Sequence, residues 1–228
     1  MSEQTIKTCL HNVNTRIIDA AQRFGRDPQQ IQLVAVSKTK PVSAIIEAYE
    51  AGQMRFGENY VQEAIDKIQV LADKAIEWHF IGNIQSNKAD LIAKHFQWVH
   101  TVDNVRHAKL LNQYRAGLPP LQVCIQVNIS NEPSKGGALA HEVMDLAHQI
   151  QRLPNLKLRG LMAIPKPSDY FEEQANAAKA LHILKELLNR RGFELDTLSI
   201  GMSHDLEAAI SEGATMVRVG TDIFGKRA

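Results

Sequence analysis

A single lysine stands where a short apolar segment gives way to polar residues. Residues 33–36 are all apolar, Ser37 and Lys38 follow, and Pro41 closes the segment. Such a run is typical of a buried parallel strand, so Lys38 is expected where a strand ends. Partial desolvation there would lower the pKa of the amine, and a neutral amine can form a Schiff base with an aldehyde. The competing interpretation is a solvated lysine at a strand exit, which is the commoner situation for lysine.

Two segments near the end of the chain combine glycine with a hydroxyl side chain. Gly201-Met202-Ser203 leads into a predicted helix, whose first amides and partial positive charge suit a phosphate, although Ser203 could also be a plain N-cap. Gly220-Thr221 follows a predicted strand, and glycine there lets the backbone approach a ligand closely. Both segments therefore predict a phosphate site.

These segments belong to a regular alternation of strands and helices. An amphipathic helix over about 3–24 comes first and is a candidate cover for the bottom of a barrel. Strands are predicted near 31–38, 55–59, 77–82, 98–102, 121–129, 156–164, 197–202 and 216–219, nearly all separated by helices. We therefore predict an α/β fold, a single (β/α)8 TIM barrel with an extra N-terminal helix, as one domain over 1–228. A doubly wound open sheet is the alternative, but no GxGxxG motif follows any strand.

In a TIM barrel, catalytic and binding residues lie at the carboxyl ends of the strands, and phosphates bind after strands seven and eight. Arg218 shares a strand face with Met216 and Gly220, and an inward-facing arginine is costly unless it is paired. An ion pair with Glu58 is one expectation for it. A lysine and a phosphate site in one barrel predict either pyridoxal 5'-phosphate (PLP) or a Schiff-base aldolase acting on a phosphorylated sugar. An arginine beside a pyridine nitrogen could not give the ring a proton, so the electron sink would be weak.

Other polar residues near strand ends carry weaker signals. Tyr60 could act as a general base but is more often a packing residue, and His79 could face the cavity or be a core histidine. Lys88 and Lys135 are interpreted as solvated. Asp205 and Glu207 suit the dipole at a helix start and need no further role.

Composition argues against several classes of protein. The formal net charge of +1 gives no bias toward nucleic acid or an anionic membrane, and no apolar stretch approaches the length of a membrane span. The nine histidines form no HExxH motif, so no metal is expected. The two cysteines are far apart, Cys124 within an apolar run, and the N-terminus lacks a signal-peptide core. The expected location is the cytoplasm.

Five segments, in this order, resemble the YggS/PROSC family, also called the PLP homeostasis proteins. They are residues 35–40, 56–63, 79–88, 160–164 and 201–225, with the motifs AVSKTK, FGENYVQE, HFIG followed by QSNK, GLMAI, and GMS followed by RVGT and IFG. The match spans nearly the whole chain.

The resemblance implies a barrel like the N-terminal domain of alanine racemase, with PLP as a Schiff base on Lys38. It places Asn59 near the ring and Arg218 opposite the pyridine nitrogen, and it implies a phosphate held by three residues, Ser203, Gly220 and Thr221. It also implies PLP homeostasis and amino- and keto-acid balance without a firm catalytic activity. Expected partners are PLP and apo PLP-dependent enzymes, and a monomer is expected. The alternative is a weak PLP-dependent racemase or another PLP enzyme of this fold, although the barrel would leave no residues for a racemase's second domain.

Overall fold

Eight parallel strands form one closed barrel in the computed structural model, which describes residues 5–130, 132 and 135–225. Each strand pairs with the next, and the last pairs with the first in a register that places Gln32 opposite Met216 and Ala35 opposite Val219. The strands are β1 Gln32–Val36, β2 Arg55–Glu58, β3 Glu77–Phe80, β4 Trp98–Val102, β5 Leu121–Gln126, β6 Leu156–Met162, β7 Thr197–Ser199 and β8 Met216–Val219. The predicted TIM barrel is confirmed, and closure between β8 and β1 rules out the open sheet.

Helices surround the barrel and connect successive strands. They are α1 Ile6–Arg23, α2 Val42–Glu50, α3 Val61–Val70, α4 Ala89–His95, α5 Val105–Tyr114, α6 Val143–Gln151, α7 Phe171–Arg190, α8 Leu206–Ser211 and α9 Thr221–Phe224. Several strands are shorter than predicted because the chain leaves the sheet before its apolar run ends. In β5, for example, the strand stops at Gln126, and Val127 makes only an isolated bridge with Ala138.

The first helix lies in the outer ring of helices, which corrects the expectation that it covers the bottom of the barrel. It packs against α2, α8 and α9 and buries an apolar face that includes Leu10, Val13 and Ile17. Arg16 ties it to Glu207 of α8 and Asp222 of α9, at 2.8 and 2.6 Å. Since α9 has only four residues, α1 supplies the packing surface that a full helix after β8 would otherwise provide.

The lower interior of the barrel contains both apolar and polar side chains. Trp98, Cys124, Met162 and Met216 form a buried cluster there. Burial raises the pKa of the Cys124 thiol to about 12, so Cys124 behaves as a core residue, as predicted. Beside the cluster lie His79 and His100, both fully buried. His79 is therefore a core histidine and does not face the upper cavity.

Candidate functional site

A cavity of about 260 Å³ opens at the carboxyl ends of the strands. Its lining includes all six residues that the sequence predicted for the site, which are Lys38, Asn59, Ser203, Arg218, Gly220 and Thr221. Val36, Ile81, Ile164 and Met202 add apolar wall. The volume is at the small end for ligand pockets, and a mainly apolar wall with a few convergent polar groups is typical of cofactor sites.

Hydrogen bonds fix the backbone on both sides of Lys38. On one side, Ser37 donates its hydroxyl to Glu58 Oε1 at 2.6 Å and its amide to the Gly57 carbonyl at 3.0 Å. On the other side, the Thr39 amide donates to Glu63 Oε1 at 2.6 Å. Thr39 has a φ of 63°, in the left-handed region that side chains other than glycine rarely adopt. Lys38 therefore projects from a backbone that its neighbours hold in one conformation.

A buried lysine on α3 joins these contacts into one cluster. Lys67 Nζ donates to the Ser37 carbonyl at 2.8 Å, to Glu58 at 2.8 Å and to Glu63 at 2.6 Å. Burial raises the pKa of the Glu58 carboxyl, while the Lys67 ammonium and the hydrogen bonds act in the opposite direction. The predicted pair between Arg218 and Glu58 is wrong, because Lys67 supplies the positive charge beside Glu58.

The sequence interpretation missed this cluster, which we call the Lys67 clamp and define as Ser37, Glu58, Glu63 and Lys67. Two signals could have revealed it. Glu63 and Lys67 are four residues apart on a helix, which is the spacing of an intrahelical ion pair. Glu58 follows Phe56 and Gly57 at the buried end of β2, where a carboxylate needs a partner.

Asn59 follows β2 and lines the cavity. A Cβ at residue 82 would overlap the Asn59 carbonyl, so only glycine at this position allows these two segments of the backbone to pass each other. Asn59 Oδ1 is buried and has no hydrogen-bond partner among the described residues. An unsatisfied buried amide oxygen is costly, and a polar ligand atom would relieve that cost.

A fixed turn holds the residues predicted for phosphate binding. Gly201 has a φ of 103°, and the next residue, Met202, donates its amide to Asp205 Oδ1 at 2.6 Å. The helix cap of α8 is Asp205, so Ser203 is not the plain N-cap that was the alternative. Asp205 therefore shapes the turn, which is a role beyond the helix dipole. Ser203, Gly220 and Thr221 all line the cavity.

Arg218 is a buried cation that faces the cavity. Its side chain donates from Nη1 to Ser199 Oγ at 2.7 Å and from Nη2 to the Ala163 carbonyl at 3.0 Å. Within residues 5–130, 132 and 135–225, no carboxylate forms a salt bridge with it. Burial lowers the pKa of Arg218 to about 10, so the guanidinium keeps its charge at neutral pH. A guanidinium has five N–H donors, so some are available to a ligand.

The remaining candidates lie elsewhere. Tyr60 is half exposed and does not line this cavity. Glu207 pairs with Arg16, and Lys135 pairs with Glu132 at 2.9 Å. The predicted loop 130–137 lies partly outside the described residues. In the part of the chain that the structure describes, no group of three or more potential ligands could hold a metal ion, and none of the helices there has the length and apolarity of a membrane span.

Comparison with known proteins agrees with this geometry. Residues 10–228 match the family model described as alanine racemase, N-terminal domain. The protein named pyridoxal phosphate homeostasis protein from Vibrio alginolyticus is 53% identical, over 98% of each chain. Its namesake from Pseudomonas aeruginosa is 55% identical, over 98% of this chain and 96% of the other. The chain belongs to the pyridoxal phosphate homeostasis protein (YggS/PROSC) family.

Solved structures give this family member a direct point of comparison. PipY of Synechococcus elongatus with PLP bound superimposes with a TM-score of 0.82 at 36% identity, over 92% of this chain and all of that one. An alanine racemase of Clostridium difficile superimposes with a TM-score of 0.73 at 14% identity, which shows the shared fold alone. This chain covers 56% of that racemase.

The Lys67 clamp generates a stability prediction for this family member. Lys67→Met should lower the free energy of unfolding by about 3 kcal/mol, because it leaves the Glu58 charge buried without its partner. Urea denaturation measures the loss. Lys94→Met is the matched control, since Lys94 forms an exposed pair with Asp90 on α4 and should cost less than about 1 kcal/mol. Equal losses in the two variants would contradict the clamp.

Proposed function

We propose that this protein binds PLP in the cavity at the carboxyl ends of the strands, as a Schiff base on Lys38, and holds it for PLP homeostasis in the cytoplasm instead of for catalysis. The observation that carries the proposal is the meeting of an amine, a buried guanidinium and two hydroxyls in one cavity. The relatives named above, and PipY with PLP bound, support the same cofactor.

Each cavity residue has a role in this proposal. The Lys38 amine attacks the aldehyde carbon, so that a C–N double bond forms and water leaves. The Asn59 amide, whose oxygen has no hydrogen-bond partner among the described residues, lies against the ring. The hydroxyls of Ser203 and Thr221 and the backbone at Gly220 hold the phosphate. Arg218 faces the pyridine nitrogen and donates a hydrogen bond to it.

When bound, PLP supplies an electrophilic aldehyde and an electron-withdrawing ring. The ring withdraws electrons strongly only when its nitrogen is protonated. Arg218 keeps its own proton at neutral pH, since its pKa is about 10, and it therefore offers the ring a hydrogen bond without transferring a proton. The hydrogen bond between Arg218 and the unprotonated ring nitrogen supports a PLP carrier over an efficient PLP enzyme.

The cavity also offers few groups that could act as a catalytic base. Among the described residues that line it, there is no tyrosine, cysteine or carboxylate, and besides Lys38 only Lys40 and His204 carry an amine or an imidazole. Two-base racemisation needs a base on each face of the substrate, and the described lining has no tyrosine or carboxylate to stand opposite Lys38. This composition supports storage or delivery of PLP to apo PLP-dependent enzymes, by a protein that we expect to be monomeric.

Reduction of the PLP-loaded protein with borohydride should fix one cofactor on Lys38. Mass spectrometry of the digested protein should find the adduct in the wild type and not in Lys38→Ala. Lys40→Ala is the matched control, since Lys40 lines the same cavity, and it should keep the adduct on Lys38. An adduct on Lys40 in the wild type, or undiminished labelling of Lys38→Ala, would overturn the assignment of Lys38.

A transfer experiment separates a carrier from an enzyme. PLP-loaded wild-type protein, freed of unbound PLP, should restore the activity of an apo PLP-dependent enzyme, and it should not interconvert D- and L-amino acids faster than free PLP does. Racemisation or transamination that disappears in Lys38→Ala would contradict the carrier and establish the alternative, a weak PLP enzyme. Failure to reactivate any apo-enzyme would contradict delivery.

A further inference from the structure

A continuous series of hydrogen bonds crosses the barrel interior from its floor to Arg218. Glu77 Oε1, at the start of β3, lies 3.1 Å from His79 Nε2. His79 Nδ1 lies 2.9 Å from His100 Nε2, and His100 Nδ1 lies 2.7 Å from Ser199 Oγ. Ser199 Oγ in turn accepts from Arg218 Nη1 at 2.7 Å. We call these five residues the interior chain.

The chemistry of its two ends fixes the direction of the interior chain, which is the direction in which its hydrogen bonds are donated. Arg218 can only donate hydrogen bonds, and an ionised Glu77 can only accept them. Four hydrogen bonds join the five groups, and each needs one proton. If both histidines are neutral, Arg218, Ser199, His100 and His79 each supply one of the four. Every donor then points toward the floor, and both imidazoles carry their proton on Nε2.

The surroundings favour this single arrangement. His79, His100 and Ser199 are all completely buried. Burial lowers the pKa of both imidazoles, most strongly for His100, so they are neutral near pH 7. The His79 ring also stacks on Trp98, with centroids 5.5 Å apart. At the floor, Glu77 pairs with Arg55 at 3.1 Å, and the hydrogen bond from His79 holds the pKa of Glu77 below its usual range.

The interior chain and the Asp205 carboxylate together stabilise the buried charge of Arg218. Because His100 Nδ1 accepts the hydrogen bond from the Ser199 hydroxyl, a lone pair of Ser199 Oγ stays directed at Arg218. Hydrogen bonds aligned in series in a low-dielectric interior polarise one another, so the Glu77 charge strengthens each acceptor along the way. The guanidinium then has a fixed orientation, with its remaining N–H groups available to the cavity.

We propose that Glu77, His79, His100 and Ser199 are positioning residues for Arg218, and that they couple a carboxylate on the barrel floor to the pyridine nitrogen of PLP at the opposite end. This inference rests on the proposed function, since it assumes that PLP binds with its nitrogen facing Arg218. Its first part, the direction of the interior chain, can be examined without PLP.

The first experiment is ¹⁵N NMR of histidine-labelled protein without PLP. At pH 7, both His79 and His100 should show a protonated Nε2 and an unprotonated Nδ1, with assignments made from His79→Gln and His100→Gln. An Nδ1–H form or an imidazolium at either residue would overturn the direction of the interior chain.

The second experiment uses PLP labelled with ¹⁵N in its ring. It measures the NMR resonance of the ring nitrogen and the dissociation constant of PLP. Ser199→Ala removes the acceptor of Arg218 and should weaken PLP binding about tenfold and move the ring-nitrogen resonance. Ser199→Thr keeps the hydroxyl and should bind within about twofold of the wild type. Melting curves of both variants establish that they fold.

The decisive comparison is between two carboxylates on the floor. Glu77→Gln keeps a hydrogen-bond acceptor for His79 but removes the charge, and it should shift the ring-nitrogen resonance and weaken binding about threefold. Asp196→Asn removes the same charge from the residue before β7, whose partner is Arg159, outside the interior chain. It should change neither quantity.

The outcomes separate this inference from the proposed function. Equal responses in Glu77→Gln and Asp196→Asn, or none in either, would overturn the coupling while the Lys38 adduct still stands. Absence of that adduct in the wild type would overturn the proposed function and the coupling together, and the histidine resonances would still decide the direction of the interior chain.

Discussion

The site depends most on the contacts that the buried ammonium of Lys67 makes. It bonds the backbone at Ser37 and two carboxylates from successive elements, and one of those carboxylates also bonds the Thr39 amide. Without it, Glu58 at the end of β2 would be an uncompensated buried carboxylate, and Glu63, which accepts from the amide of the left-handed Thr39, would lose its partner. The reactive lysine can therefore be a long, flexible side chain, because the residues on either side of it are fixed.

Two buried cations in this barrel are stabilised in different ways, and the difference has a functional meaning. Lys67 is surrounded by carboxylates and has little to offer a ligand. Arg218 donates to two neutral acceptors, Ser199 and the Ala163 carbonyl, while the Asp205 carboxylate acts on it without a direct salt bridge, and so Arg218 retains donors for the cavity. Had Glu58 paired with Arg218, the carboxylate would have competed with a ligand for the same N–H groups. Lys67 keeps Glu58 away from that role.

Much of the fold and six of the residues that line the cavity could be predicted from the sequence, for identifiable reasons. Buried strands such as 33–36 and 121–126 are nearly continuous apolar runs, and parallel strands place their carboxyl ends together, so Lys38, Ser203 and Arg218 were expected near one another. The position of α1 was not predictable from its own pattern, because an apolar face does not specify which surface covers it. It depended on α9 having only four residues, and α9 itself is too short to leave a periodic signal.

The pairing of buried polar side chains was the second feature that the sequence did not predict. Glu58 and Arg218 are both inward charges, and the signals at Glu58 and along α3 indicated that partners were needed without specifying that Lys67, and not Arg218, would pair with Glu58. The interior chain was equally hidden, because it joins residues from β3, β4, β7 and β8 that are up to 141 positions apart in the sequence. Such networks depend on side chains that meet across the barrel, and strand periodicity indicates only which face each occupies.

The most direct test of the central claim is a crystal structure of the protein loaded with PLP and reduced with borohydride. Electron density should join the cofactor to Lys38 Nζ, with the phosphate about 3 Å from the Ser203 and Thr221 hydroxyls and the pyridine nitrogen at the same distance from Arg218. Cofactor density in another cavity, or a ring turned so that its nitrogen faces away from Arg218, would contradict the account.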